Sequence, residues 1–545
     1  MTNGPLIVQS DKTALLEVDH PQAADARHDL AVFAELERAP EHIHTYRITK
    51  LGLWNARAAG HDSQFVLDVL DRYAKFAVPT SVRTDIQETM NRYGRMVIKR
   101  NEAGELELVS DSPAILMEAA RHKKIAELLG GRVSETVYRI QEFARGAVKQ
   151  ELLKLGWPAE DLAGYTDGTP HPIDLNSGDW HIRDYQRQAV DKFWGGGSGV
   201  VVLPCGAGKT IVGATAMTVA KTNTLILVTN TVSARQWKAE LLKRTTLTED
   251  EIGEYSGAVK EVKPVTIATY QILSTKRKDE YAHLSLLNDG DWGLIIYDEV
   301  HLLPAPIFKM TADLQARRRL GLTATLVRED GKEGDVFSLI GPKRYDAPWK
   351  EIEAQGYIAP AECFEIRIDL QENERLEYAM ANQDDRYRIA ATSPVKIPVI
   401  QKLLKKHAGE PTLIIGQYLE QIHTIADALN VPIITGETPV DERERLYADF
   451  REGRLMTLVV SKVANFSIDL PEASVAIQIS GSYGSRQEEA QRLGRLLRPK
   501  SDSRKARFYT LITRDTVDQD FAQNRQRFLA EQGYAYQILD AEHLD

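Results

Sequence analysis

From about residue 199 onward, short unbroken runs of β-branched and aliphatic residues alternate with stretches of helical spacing. Gly199-Val-Val-Val-Leu, Thr224-Leu-Ile-Leu-Val, Pro264-Val-Thr-Ile-Ala and Leu294-Ile-Ile-Tyr make a first series. Thr412-Leu-Ile-Ile-Gly, Val431-Pro-Ile-Ile-Thr, Thr457-Leu-Val-Val-Ser and Val475-Ala-Ile-Gln-Ile make a second. Runs without polar interruption are what strands show when helices cover both faces of a parallel sheet. The alternation predicts βαβ units and hence two tandem α/β domains, over 176–345 and 346–545. Between the two series, Gly356-Tyr-Ile-Ala-Pro reads as the start of a strand and Gln371-Glu-Asn-Glu-Arg-Leu-Glu-Tyr as a charged segment. Residues 1–175 are mixed in period, with helical spacing over 63–76 and 112–129, and carry no nucleotide signature, so this part alone is unreadable. Gly164-Tyr-Thr-Asp-Gly-Thr-Pro-His-Pro, with Gly and Pro at turn spacing, sets a boundary near 175.

Composition narrows the function classes. A chain of 545 residues exceeds what one hydrophobic core usually organises. The net charge of −10 argues against a passive binder that relies on bulk positive charge, though it leaves room for a local basic groove. No apolar run approaches the roughly 20 residues of a membrane span. The start also lacks a basic segment followed by an apolar one, so no membrane association and a cytoplasmic location are expected. Cys205 and Cys363, the only two cysteines, exclude a disulfide scaffold. His171, His181 and His301 are scattered without zinc spacing, and His42 and His44 read as surface or core histidines.

The first strand of the series runs into Leu203-Pro-Cys-Gly-Ala-Gly-Lys-Thr and then a helical segment. Strand, glycine loop and helix is the context of a phosphate-binding loop. In that reading Pro204, Cys205, Gly206, Ala207 and Gly208 wrap phosphate oxygens with backbone N–H groups. Lys209 reaches the β- and γ-phosphates and Thr210 ligates magnesium. Leu203 stands where such loops usually begin with glycine. The strand Leu294-Ile-Ile-Tyr ends in Asp298-Glu-Val-His, which supplies the carboxylates the chemistry needs: Asp298 to hold magnesium, Glu299 to orient or deprotonate water, His301 to couple. ATP and Mg²⁺ are therefore the expected cofactors.

In the second series, Arg486-Gln-Glu-Glu-Ala-Gln-Arg-Leu-Gly-Arg-Leu-Leu-Arg-Pro is strongly helical, and Gln491, Arg495 and Arg498 recur on one face. Alone this is a solvated basic surface. Across a cleft from an ATP site, the arginines become candidates for stabilising charge on a transferring phosphoryl group.

The set of motifs resembles superfamily 2 nucleic-acid motors, and more closely the XPB family, in bacterial and actinobacterial form. The resemblance covers about 180–540. Ile182-Arg-Asp-Tyr-Gln-Arg resembles that family's adenine-contacting segment, with Arg183 and Gln186 as contacts. Leu322-Thr-Ala-Thr, with Thr323 and Thr325, resembles the segment coupling nucleotide state to closure. Arg328-Glu-Asp matches the family's Arg-Glu-Asp signature, which places Arg328, Glu329 and Asp330 in unwinding; a charged loop with an internal ion pair is the alternative. Val460-Ser-Lys-Val and Ser467-Ile-Asp-Leu-Pro, with Asp469 at the nucleotide, precede the arginine helix, although Ala464-Asn-Phe departs from the eukaryotic pattern. Arg525-Gln-Arg-Phe-Leu-Ala-Glu-Gln-Gly-Tyr is also similar.

The resemblance implies two RecA-like motor domains, an N-terminal α+β accessory region over 1–175, a short thumb-like insertion at about 370–394, DNA as partner, 3′-to-5′ polarity and a role in repair by a monomer. By motif position, strand contacts fall on Thr231, Arg235, Thr269, Gln271, Ser461 and Lys462, each of which is otherwise a helix cap or surface cation. Two alternatives stand beside an unwinding motor: a duplex translocase that remodels protein–DNA complexes, and a scaffold that recruits a repair nuclease through residues 1–175.

Overall fold

A computed structural model describes residues 3–40, 42–204, 206–326, 328, 330–347, 352, 354–355, 361–461, 473–481, 505–531, 534 and 536–544. The first series of apolar runs becomes a seven-stranded sheet. Its order is Ile252–Tyr255, Val265–Thr269, Thr224–Val228, Leu294–Asp298, Arg318–Thr323, Gly199–Val202, Lys343–Asp346, and every pair is parallel. The lack of polar alternation has a plain cause. Val201, Ile226, Ile267 and Ile296 point into one core, while Val200, Leu225, Ala268 and Ile295 point into the core on the opposite face. Because the strands are parallel, all their C-terminal ends share one edge. The phosphate loop, Thr231, Thr269, Asp298 and Thr323 therefore gather there.

The second series forms another seven-stranded sheet, in the order Ile433–Ile434, Thr457–Ser461, Thr412–Gly416, Val475–Gln478, Ala506–Thr513, Ala361–Ile368, Tyr536–Asp540, again parallel throughout. The run expected as a strand over 431–435 shortens to Ile433–Ile434, since Pro432 has no N–H to give the ladder. The expected strand start at 356–360 lies outside the described residues; the strand itself follows at Ala361–Ile368. The charged segment becomes a pair of helices, Glu372–Met380 and Gln383–Ala391. Tyr387 anchors the second through its ring against Phe521 at 5.0 Å and a hydroxyl donated to the Gly481 carbonyl. The first leaves Leu376 and Met380 on the surface.

The N-terminal stretch holds two separate cores. Strands Leu6–Val8, Thr13–Glu17, Ile43–Ile48 and Ala34–Arg38 form an antiparallel sheet in that order, packed with helices that include Lys50–Ala58 and Ser63–Tyr73. A five-stranded sheet follows in the order Leu129–Ser134, Val137–Ile140, Leu106–Ser110, Met96–Arg100, Ala159–Asp161. The helical spacing over 112–129 is broken at His122, whose extended backbone separates Pro113–Arg121 from Lys123–Ala126. His44 is buried and His42 is exposed beside Asp19. Among the described residues no helix is long and apolar enough to cross a membrane.

Both N-terminal units are fastened to the motor sheets. Asn55 Oδ1 accepts the Lys343 amide at 2.9 Å, and the helix Val517–Glu531 packs on the strand Ala34–Arg38, placing Ala530 in the N-terminal core. The helix Arg145–Leu155 lies so close to the first motor unit that a Cβ on Gly146 would sit 2.5 Å from the Ala312 carbonyl oxygen. Beside it, buried Arg145 donates to Asp161 through Nε and Nη2 at 2.9 and 2.8 Å. Lys149 Nζ donates to Asp161 at 2.8 Å and to Gln315 of the motor unit. Burial alone would raise the Asp161 carboxyl, but the Lys149 and Arg145 cations hold it well below the ordinary carboxylate range. Its stabilisation is thus complete above about pH 4 and is lost only as pH falls through the depressed value. Asp161→Asn should strand two buried cations and cost about 3–5 kcal/mol, read as a lower urea midpoint near neutral pH.

Candidate nucleotide site

The turn after Gly199–Val202 passes through buried Leu203 and Pro204 and opens the helix Lys209–Ala220. Gly206 and Gly208 have φ of 80° and 83°, a region that other residues enter only with strain. A Cβ on Gly208 would also fall 2.3 Å from Gln186 Nε2. That closeness reflects a fixed arrangement. Gln186 Nε2 and the Tyr185 hydroxyl both donate to the Ala207 carbonyl, at 2.9 and 2.5 Å, and Gln186 Oε1 accepts the Arg183 amide at 3.0 Å. The Arg183–Gln186 segment is therefore tied to the loop itself. Thr210 is half-buried at the second position of the helix. Cys205 lies outside the described residues.

Asp298 and Glu299 reach the loop from the end of the strand Leu294–Asp298, which the strand Arg318–Thr323 separates from Gly199–Val202. Lys209 Nζ pairs with Glu299 Oε1 at 3.0 Å, and His301 Nδ1 lies 3.5 Å from Glu299 Oε2. Glu299 has φ of 50°, a left-handed conformation that costs a non-glycine residue on the order of 1 kcal/mol. Burial, then the neighbouring Glu299 charge, pushes the Asp298 carboxyl up to about 6. Burial would raise Glu299 too, but Lys209 and His301 outweigh it and hold that carboxyl low. Two half-buried carboxylates thus share one ammonium. Among the described residues no group of three or more His, Cys, Asp or Glu could cage a metal. A site of this kind suits Mg²⁺, which is held by one or two carboxylates plus substrate phosphates and water. Thr210 and Asp298 fit that role, and Lys209 and the glycine turn fit the phosphates.

Two further residues touch Asp298, and the sequence motifs do not include them. Trp237 Nε1 donates to Asp298 Oδ2 at 2.9 Å, and the Tyr270 hydroxyl donates to the Asp298 carbonyl at 2.6 Å. Trp237 is buried against the phosphate-loop helix, so close that a Cβ on Gly213 would meet its ring at 2.5 Å. It belongs to the helix Thr231–Arg244, which carries Thr231 and exposed Arg235. Tyr270 opens the helix Tyr270–Leu273, between Thr269 and exposed Gln271. No spacing rule connects residues 61 and 28 positions from Asp298. The available signal was two polar-tipped aromatics in the segments that leave neighbouring strands.

The remaining motif residues divide. His301 Nδ1 is 2.6 Å from Thr323 Oγ1, which itself donates to the Thr325 carbonyl at 2.6 Å, so Asp298-Glu-Val-His and Leu322-Thr-Ala-Thr are joined by side chains. Arg328 and Asp330 do form an internal ion pair, at 2.8 and 2.7 Å. The exposed charged loop is nevertheless corrected, because Arg328 is buried and donates to the carbonyls of His301 and Leu303 at 2.6 and 3.1 Å. Thr269 is a buried cap of the Tyr270–Leu273 helix, and Ser461 is buried at the end of its strand, which leaves Arg235 and Gln271 as the exposed members of the candidate strand contacts. Glu329, Lys462, Asp469, Gln491, Arg495, Arg498 and Ala464-Asn-Phe lie outside the described residues.

Residues 352–544 match the ERCC3/RAD25/XPB C-terminal helicase family, 179–328 the type III restriction enzyme res subunit, and 6–134 a helicase conserved C-terminal domain. A protein of Kineococcus radiotolerans named DNA 3′-5′ helicase XPB is 67% identical over 545 residues, covering 100% of this chain and 98% of its own. The chain belongs to the XPB family. A Mycobacterium tuberculosis XPB, also named a DNA 3′-5′ helicase, is 63% identical, with 100% and 99% covered. The yeast XPB/SSL2, named a helicase/translocase subunit of general transcription and DNA repair factor IIH, is 32% identical, with 98% and 72% covered. In this XPB-family chain, Trp237→Phe keeps the ring and removes one hydrogen bond to a charged group, an interaction worth about 1.5–3 kcal/mol. Steady-state ATP turnover should fall at least about tenfold, and Tyr270→Phe should act in the same direction.

Proposed function

We propose that this chain is an ATP-driven motor that moves on DNA and separates its strands in the 3′-to-5′ direction, in DNA repair. The observation that carries the reading is the half-buried Lys209–Glu299–Asp298 constellation with its two aromatic links, which run from Asp298 to the segments bearing Arg235 and Gln271. Lys209 and the glycine turn would hold the phosphates, while Thr210 and Asp298 would hold magnesium. Bound magnesium supplies charge neutralisation on the phosphate oxygens. Glu299 orients the attacking water and receives its proton. Before nucleotide arrives, Lys209 neutralises Glu299; phosphate competes for that ammonium, which frees the carboxylate to act as a base.

By sequence motif, Gln491, Arg495, Arg498 and Asp469 supply the facing wall, with Lys462 toward the strand. Loss of the γ-phosphate then releases the two walls, and alternating grip on sugar-phosphate converts release into stepping. Duplex translocation with little unwinding is a second reading, favoured by how short the Glu372–Ala391 helix pair is. Strand-displacement and triplex-displacement assays separate the two, since a duplex translocase displaces the third strand and leaves the duplex intact. Recruitment of a repair nuclease through residues 1–175 predicts that Lys209→Ala keeps its biological role.

Glu299→Gln should reduce DNA-stimulated ATP hydrolysis at least about a hundredfold, and normal turnover would overturn the assignment. The raised Asp298 value has a definite sign. Between about pH 4 and 6 the folded chain holds a proton that the unfolded chain releases, so stability falls as pH rises through that window. A protonated carboxyl does not bind a cation. Mg²⁺ affinity of the nucleotide-free protein should therefore rise about tenfold per pH unit up to about 6 and then level off, as measured by calorimetric titration.

A further inference from the structure

The first motor sheet carries a cationic projection that none of the sequence motifs includes. Residues Lys276–Arg277 and Glu280–Tyr281 pair as a two-stranded hairpin, Lys276 opposite Tyr281 and Arg277 opposite Glu280. Its tip residues, Lys278 and Asp279, have φ of 49° and 64°. A two-residue turn with both φ positive matches the twist of a hairpin, but it is usually built from Asn-Gly. Asp tolerates that conformation, whereas a long side chain such as Lys is strained there. The strained position thus carries a cation into solvent.

Lys276, Arg277 and Lys278 are all exposed, and among the described residues no carboxylate lies within salt-bridge distance of any of them, the hairpin's own exposed Asp279 and Glu280 included. Aromatic rings interleave the cations. Lys276 Nζ lies 5.0 Å from the Tyr281 ring, and Lys260 Nζ lies 5.3 Å from the ring of Tyr255, whose hydroxyl bonds His283 Nδ1 at 2.8 Å. Burial, then the charges of Lys260 and Arg277, depresses the basicity of His283.

The placement is what gives this patch meaning. Tyr255 ends the outermost strand of the sheet, and the hairpin follows directly from the helix that opens at Thr269. Both stand on the edge that carries the phosphate loop. The strand Val265–Thr269 is four strands away from that loop, about 19 Å at the usual spacing; the Thr231–Arg244 helix packs on it, and it ends next to Gln271. We propose that Lys276, Arg277 and Lys278, with Lys260 beside them, bind the sugar-phosphate backbone of a DNA strand that has passed Arg235 and Gln271, extending the grip of the first motor unit beyond its motifs. The inference rests on the DNA-motor reading above.

The test is the double variant Arg277→Ala/Lys278→Ala of the full chain, binding a labelled single strand and the matching duplex over a series of salt concentrations. The control is Lys405→Ala/Lys406→Ala, an equal charge change at exposed positions in the last turn of the Lys396–Lys406 helix. Removal of two phosphate contacts should weaken binding about tenfold or more and reduce the salt slope by roughly 1.4 on the single strand and 1.8 on the duplex. Affinity for a fluorescent ATP analogue should stay unchanged, which shows that the fold is intact. A hairpin variant that binds like the wild type, or loses no more than the control, overturns the site and leaves the motor reading standing. A wild-type chain with no salt-dependent DNA binding overturns both.

Discussion

Two carboxylates and a single ammonium share a water-poor edge of the first sheet, and the site cannot satisfy all three at once. Lys209 goes to Glu299, the member with the left-handed backbone, and Asp298 is left with neutral hydrogen-bond donors. An interior that held only apolar groups there would be more stable. What the arrangement provides instead is a place whose charge is incomplete until a polyanion and a divalent cation enter together. On the reading proposed above, their entry would draw Lys209 off Glu299 and leave that carboxylate able to accept a proton.

The aromatic donors on Asp298 extend this constraint outward. Trp237 and Tyr270 sit on two different helices, each beginning where a strand ends, and each next to an exposed side chain that a polymer could reach. A displacement of the Trp237 helix changes the hydrogen bonding of the Asp298 carboxylate directly, and one of the Tyr270 helix changes that of its main-chain carbonyl. His301, Thr323 and Thr325 make a similar short chain on the other side, and Arg328 clamps the turn that holds His301 from beneath. Arg328 thus serves the interior of the catalytic edge. Its counter-ion Asp330 keeps the buried guanidinium from standing alone.

Much of this was legible from the chain. Consecutive apolar residues such as Gly199-Val-Val-Val mark strands covered on both faces, and glycine, lysine and threonine in that order mark the turn that follows. What stayed hidden depended on distance across the sheet. Trp237 reads as an ordinary core aromatic until the strand order sets its helix beside Asp298. The two cores of the N-terminal stretch were likewise hidden, since antiparallel strands half open to solvent blur with the amphipathic helices around them. Pro432 was visible but underweighted, and it cut short a strand whose apolar pattern was otherwise sound.

The packing of the helix Val517–Glu531 on the strand Ala34–Arg38 has a thermodynamic corollary. That strand belongs to a unit also hydrogen-bonded to Lys343 of the first motor sheet, and Glu35 on it lies among Glu333, Lys343 and Arg527, contributed by both motor units. A loop closed through three bodies cannot change one junction without bearing on the others. Whatever arrangement nucleotide favours, a molecule gripping the N-terminal sheet in that same arrangement must tighten nucleotide binding by the factor by which nucleotide tightens its own, because linkage is reciprocal.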